Sequence, residues 1–312
     1  MSVRPDHKIS NSTFLLTGFP GLERDYPWLS IPFSCIYVMV LSGNCLVLHV
    51  IHTEPSLHEP MFYFLAMLAL TDLCMGLSTV HTVLGILWGL SQEIGLDACI
   101  AQTFFVHGLS CMESGVLLTM AFDHFTAICN PLRYTSILTN NRIINIGVVI
   151  LGRSFLFITA PIVRLKFFHY SNVIPHNYCE FMPLIKLACA ETRICRTYSL
   201  TAAFFTGGLD LILILCSYVV ILFTVFHLPS EAAQLKTMGT CGSHVCLILV
   251  AYTPVFLSFL THRFGHHMAP HIHIFVAKIF VLIPPMVNPM TYGIRTKRIR
   301  ECPLQLFTSH KL

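Results

Sequence analysis

Charge is what this chain has least of. Among 312 residues there are 19 Lys or Arg and 15 Asp or Glu, so charged side chains make up only 11% of the composition. A soluble domain carries about a quarter. Hydrophobic residues reach 54% and the mean hydropathy is +0.70, which leaves too little polar surface to keep a globule of this size in water. The net charge of +4 is small and dispersed, which argues against nucleic acid as a partner. No internal repeat is present, which disfavours a transporter built from duplicated halves. Met1 to Asn11 is polar and lacks the apolar core of a cleavable signal, so the first membrane helix is expected to act as the targeting signal. No nucleophile–base phrase or metal-ligand helix stands out, so neither an enzyme nor a metal centre is expected. Cysteine is not scarce, at 13, but most of it lies in apolar runs where a thiol behaves as a small hydrophobe.

What the chain has in quantity is long apolar sequence. A helix needs about 20 apolar residues to cross the hydrocarbon layer. Runs of that kind occur near 27–51, 60–87, 98–122, 143–163, 198–227, 237–261 and 272–293, separated by polar or proline-bearing breaks. The fold class predicted is an all-α membrane protein, a seven-transmembrane helix bundle over 27–293. Residues 1–26 would form an extracellular N-terminus and 294–312 a cytoplasmic tail. The alternation of basic and apolar residues in that tail fits a short amphipathic helix on the membrane surface. Interior Pro32, Pro161, Pro254, Pro284 and Pro289 are tolerable because bundle neighbours can take up the freed carbonyls. Orientation rests on Asn11-Ser12-Thr13, an N-glycosylation sequon that places the N-terminus outside and, after seven crossings, the basic tail inside.

The stretch Met120-Ala121-Phe122-Asp123-His124-Phe125-Thr126-Ala127-Ile128-Cys129-Asn130-Pro131-Leu132-Arg133-Tyr134 resembles the end of the third helix of odorant receptors, which reads MAFDRYxAICxPLxY. The departure is His124, where that family carries an arginine that serves G-protein coupling. The likeness covers nearly the whole chain. Gly43-Asn44, Leu57-His58-Glu59-Pro60-Met61-Phe62-Tyr63, Asp72, Ser217-Tyr218, Lys236-Thr237-Met238-Gly239-Thr240-Cys241-Gly242-Ser243-His244 and Pro285-Met286-Val287-Asn288-Pro289-Met290-Thr291-Tyr292-Gly293 fall in order on successive runs. Met112-Glu113-Ser114, Ala251-Tyr252-Thr253-Pro254 and His262-Arg263-Phe264 resemble the class I, fish-like subgroup, many of whose members detect small carboxylic acids.

The resemblance implies an odorant-activated receptor of the rhodopsin-like class in the plasma membrane, with olfactory cilia as its address. Its partners would be a small volatile ligand, membrane lipid and a stimulatory olfactory-type heterotrimeric G protein that raises cAMP. It puts His107, Ser110, Cys111, Phe204, Gly208, Tyr252, Val255, Phe256 and Phe259 around the ligand, most of the aromatics serving as packing. Arg263 would clamp a carboxylate bidentately, the alternative being a solvated arginine paired with lipid phosphate or Glu180. Asp123, His124, Tyr218, Lys236 and Tyr292 fall on the coupling positions. Cys99 and Cys179 resemble the disulfide common to these receptors. For a second bridge Cys189 fits one half, but His169 stands where its partner is expected and Cys195 is the substitute.

Charges at membrane depth need a partner or a task. Asp72 and Glu113 cannot both stay ionised and unpaired; they share a proton or hold a sodium ion, with Asn44 and Asn288 nearby, or are two separately hydrogen-bonded acids that help packing. No other cofactor is expected. Arg153, Asp210 and Lys278 are further buried charges. Lys278 either pairs with an acid across the bundle or snorkels to the interface. His124 leads to an expectation of weaker or pH-dependent coupling, with an Asp123–His124 contact favoured as pH falls. The rivals are a copy that signals poorly or not at all and, further off, a channel or transporter.

Overall fold

Each of the seven apolar runs is a helix in a computed structural model of the chain, which describes residues 13–165, 173–174, 176–181, 184, 193–227, 230–264, 270–295 and 299. The helices are α1 (Tyr26–Thr53), α2 (Pro60–Leu87), α3 (Leu96–Cys129), α4 (Asn140–Leu165) and α5, which starts as Arg193–Ala203, passes through a π turn at Phe204–Gly208 and continues as Leu209–Phe226. They are followed by α6 (Glu231–Phe264) and α7 (Pro270–Arg295). Among the described residues six helices are long and apolar enough to cross a membrane. The seventh, α7, carries Pro284, Pro285 and Pro289 and packs against α1, α2 and α6.

The outward faces are as apolar as the core, which is what a lipid solvent selects. Val148, Val149 and Leu156 on α4 and Val219, Phe223 and Phe226 on α5 are exposed. Buried polar side chains such as Asn44, Gln102 and Ser114 hydrogen-bond inside the bundle. The helix starts follow local rules: Pro27 and Pro60 occupy first-turn positions, where a missing N–H costs nothing. α3 runs past the apolar run that ends at Phe122, because the polar groups of Asp123 and His124 find partners inside the bundle.

Proline fixes how α1 meets α7. Pro289 has no N–H, so the carbonyl four residues earlier, on Pro285, loses its helical donor. Asn44 Nδ2 supplies one at 2.9 Å and also donates to Val40 O at 2.8 Å. Gly43 allows the approach, since a Cβ there would sit 3.1 Å from the Pro289 ring.

One end of the bundle carries a three-stranded sheet that the apolar runs do not announce. Strand β1 (Thr13–Leu16) lies between β2 (Glu93–Gly95) and β3 (Val173–Ile174), antiparallel to the first and parallel to the second. Phe14 and Leu16 alternate into the core, the period of a half-buried strand. Beyond it the Tyr26 hydroxyl donates to Thr17 O and accepts from Phe19 N. The all-α bundle expected from the sequence is present, and this small sheet is added to it at one end. The sequon residue Asn11 and the tail 300–312, where the surface helix is expected, lie outside the described residues.

Candidate functional site

At the centre of the bundle the π turn of α5 changes what its backbone can do. A π turn leaves a carbonyl without its usual helical donor, and Ser114 Oγ on α3 lies 3.3 Å from Thr206 O. The same hydroxyl is 2.8 Å from Asp210 Oδ2 and 2.7 Å from the Tyr252 hydroxyl on α6. Asp210 in turn takes both arms of Arg153 from α4, at 2.7 Å each, a bidentate pair that desolvated carboxylate and guanidinium favour. Gly115 makes room: a Cβ there would stand 2.9 Å from Arg153 Nη2. Cys111 Sγ closes the group on Thr206 Oγ1 at 3.5 Å. One polar cluster thus joins α3, α4, α5 and α6.

A second group lies between α2, α3 and α7. Asn288 Nδ2 donates to Asp72 Oδ2 at 2.8 Å, and Glu113 is close enough to Asn288 and Asp72 for them to interact. Asp72 Oδ1 and Glu113 Oε1 are buried and have no hydrogen-bond partner among the described residues.

At the Asp123 end, three helices lock through aromatic rings. The His124 and His244 imidazoles stack at 5.1 Å with an 8° tilt, and His244 Nδ1 meets the Tyr218 hydroxyl at 2.7 Å. His124 Nδ1 turns back to Met120 O at 2.7 Å, and the Tyr292 hydroxyl reaches Met120 Sδ at 3.7 Å. Asp123 Oδ1 accepts from the Tyr134 hydroxyl at 2.8 Å. Burial first, then the Asp123 charge, pushes the Tyr134 phenol up, so it stays an O–H donor at neutral pH.

At the sheet end, Cys99 and Cys179 are bonded. The loop backbone is fixed to α3 by Cys179 N to Gln102 Oε1 at 2.8 Å and by Thr103 Oγ1 to Cys179 O at 3.2 Å. Under this strap the Lys278 ammonium lies 3.9 Å from the centre of the Tyr178 ring. Glu180 pairs with His176 Nε2 at 3.1 Å, and the His107 ring packs edge-on to Phe181 at 6.0 Å. Burial, with Glu180 second, pushes the Tyr178 phenol up and keeps it neutral.

Residues 33–310 match the family model described as "Olfactory receptor". The chain is an olfactory receptor. It is 58% identical to human Olfactory receptor 51V1, covering 96% of this chain and 94% of that one. To human Olfactory receptor 52D1 it is 50% identical, covering 94% and 93%, and to human Olfactory receptor 51B5 47%, covering 97% and 98%. Squid rhodopsin shares its fold, with a TM-score of 0.74 at 18% identity over 92% of this chain and 86% of that one. The receptor is therefore a multi-pass plasma-membrane protein with a seven-helix bundle, a small-molecule ligand and a G protein as partner, and not an enzyme.

Several residues expected at the receptor's ligand site lie near one another. His107, Ser110 and Cys111 are on one stretch of α3, with His107 buried against the loop and Cys111 against α5. Ser110 Oγ bonds its own helix at Val106 O. Tyr252 joins through Ser114. Phe204, Val255 and Phe256 are placed elsewhere, on exposed faces, because the π turn and the helix phase rotate them away from the bundle axis. Phe204 instead packs over Gly208, whose missing Cβ leaves it room. The side chains of Phe259, Arg263 and Lys236, and the residues Cys189 and His169, lie outside those described, as does the Cys195 side chain. Asn44 donates to the α7 kink rather than to the Asp72 group, where an ion-site role had placed it. Asp123 and His124 hydrogen-bond to Tyr134 and Met120 and not to each other, while staying near enough for their charges to interact. Lys278 does not snorkel; it is buried. Ser114 and Thr206 carry no charge to flag them, and only the π turn reveals their use.

Proposed function

We propose that this receptor binds a small odorant, with carboxylic acids as the favoured class, between the Cys99–Cys179 strap and the Ser114–Tyr252 bond. It then promotes nucleotide exchange on a stimulatory G protein and raises cAMP. The observation that supports this reading is the 2.7 Å bond from Ser114 to Tyr252, anchored by the Arg153–Asp210 pair. Tyr252 stands two residues before Pro254, where α6 lacks a backbone donor and can bend. A ligand above this bond biases α6 only through contacts that differ between two states of the bundle. About two turns before Tyr252 on α6, His244 stacks on His124 toward the coupling end. On this reading the N-terminus faces outside, Asn11 is glycosylated, and the receptor works in olfactory cilia.

The test is Tyr252→Phe in cells expressing the receptor, with surface delivery and cAMP measured across a panel of short acids, alcohols and aldehydes. The expected result is normal delivery and a severalfold loss of the odorant-stimulated signal. An unchanged dose–response would remove the Ser114–Tyr252 relay from the mechanism.

We also infer that Asp72 and Glu113 hold a sodium ion or share a proton. Their unpartnered oxygens and the Asn288 bridge support this. Replacing sodium by a large organic cation should shift odorant potency in wild type and not in Glu113→Gln. Equal shifts in both would count against the ion and leave the shared proton.

A further inference from the structure

Lys278 is the side chain that the relay above does not use. Its exposure is 1%, and its ammonium has no hydrogen-bond acceptor among the described residues. The Tyr178 ring at 3.9 Å covers one side of it. A ring face offers attraction to a cation but no lone pair for its three N–H donors. Glu180 is near enough for its charge to act on Lys278, yet its carboxylate is held by His176 at 3.1 Å. His107 Nε2, on α3, is another buried nitrogen of this neighbourhood without a hydrogen-bond partner among the described residues, and Glu180's charge reaches it too.

We propose that Lys278 and His107 Nε2 together form the anchor for the carboxylate of an acid ligand, beneath the loop segment 176–181. The inference rests on the odorant reading above and names the residues that would select its ligand class. Charge accounting favours it. Glu180 has His176 as its ion-pair partner, and a ligand carboxylate would be the counter-charge of Lys278. An alcohol of the same length leaves the ammonium unpaired, and an amine adds a second cation beside it. The anchor is rigid, because Tyr178 and Phe181 flank Cys179, which is tied to α3 by the disulfide and by Gln102 and Thr103.

The experiment uses the purified full-length receptor in nanodiscs, so that G-protein coupling plays no part. Thermal stabilisation is read against acetate, butanoate, hexanoate and octanoate and against the alcohol of each chain length. In wild type at least one acid stabilises more strongly than its alcohol. Lys278→Met, a fully apolar side chain of similar length, loses that acid by about 30-fold or more in apparent affinity while its alcohol response stays. His107→Phe keeps a ring against Phe181 and weakens the acid by a smaller factor. Lys278→Gln is a second variant should the methionine disturb packing, with the same expectation. If Lys278→Met and Lys278→Gln bind the acid as wild type does, or only Arg263→Ala loses it, the anchor is overturned and the acid reading stands. If no acid stabilises wild type while an alcohol does, the acid reading and the anchor fall together.

Discussion

The imidazole at position 124 is short, and its length decides what this end of α3 touches. It reaches one turn back to Met120 O and sideways to the His244 ring, and no further. An arginine would carry five donors on a longer stem, which puts its planar head beyond the place the His124 ring occupies. His124→Arg is expected to raise the maximal odorant-stimulated cAMP severalfold with little change in ligand affinity. An unchanged maximum at equal surface delivery would show that the histidine is harmless. That a residue here departs from the family pattern was legible in sequence; that it would pair with His244 was not, because residues 120 positions apart meet only through packing. Asn44 makes a second case. Asn44→Leu removes the donor to Pro285 O and should lower stability by about 1 kcal/mol, read as the thermal midpoint of the purified receptor. A midpoint equal to wild type would mean that the carbonyl finds another donor.

At the scale of the element, helix phase separates used from unused residues. Gly115 and Gly152 are both glycines in the interior of long helices. A Cβ at Gly115 would press on Arg153 Nη2 and on Ile150, whereas one at Gly152 meets nothing within 4 Å. Gly115→Ala should therefore destabilise the receptor by about 1–3 kcal/mol, through the strain of overpacking, and weaken the Arg153–Asp210 pair. Gly152→Ala should be neutral or slightly stabilising. Equal midpoints for the two variants would contradict this account of the α3–α4 contact. The π turn in α5 is the element that sequence conceals. Gly207-Gly208 lowers helix propensity without specifying a π turn, yet in the structure Phe204 is exposed and Thr206 O lies beside Ser114 Oγ.

The whole molecule is closed at one end by the strap and the sheet. Eighty residues separate Cys99 from Cys179, so the bond restricts a long loop in the unfolded chain. Cys99→Ser with Cys179→Ser should cost about 2–4 kcal/mol and, more tellingly, release Tyr178 and Glu180 from their places over Lys278 and His107. Acid binding should then fall further than the loss of stability alone explains. A double variant that binds acid normally below its own unfolding temperature would show that the loop is held by its other contacts. The Thr13–Leu16 strand adds to the same lid by pairing with two segments far from it in sequence.

Seven hydrophobic runs with almost no charge determined by themselves that this protein is a helical membrane bundle, since only a helix satisfies its own backbone in lipid. The motif at Asp123 and those around it determined the family for the same local reason: each is contiguous in the chain and can be read without knowing its neighbours. The tertiary structure decided which buried polar groups are already satisfied. Asp210 has Arg153 and Ser114, Asp123 has Tyr134, and Asn44 has the α7 kink, whereas Lys278 has an aromatic face and no hydrogen-bond acceptor among the described residues. Burial makes each of these groups costly unless paired, and whether a pair exists depends on helices that meet in space and not in sequence.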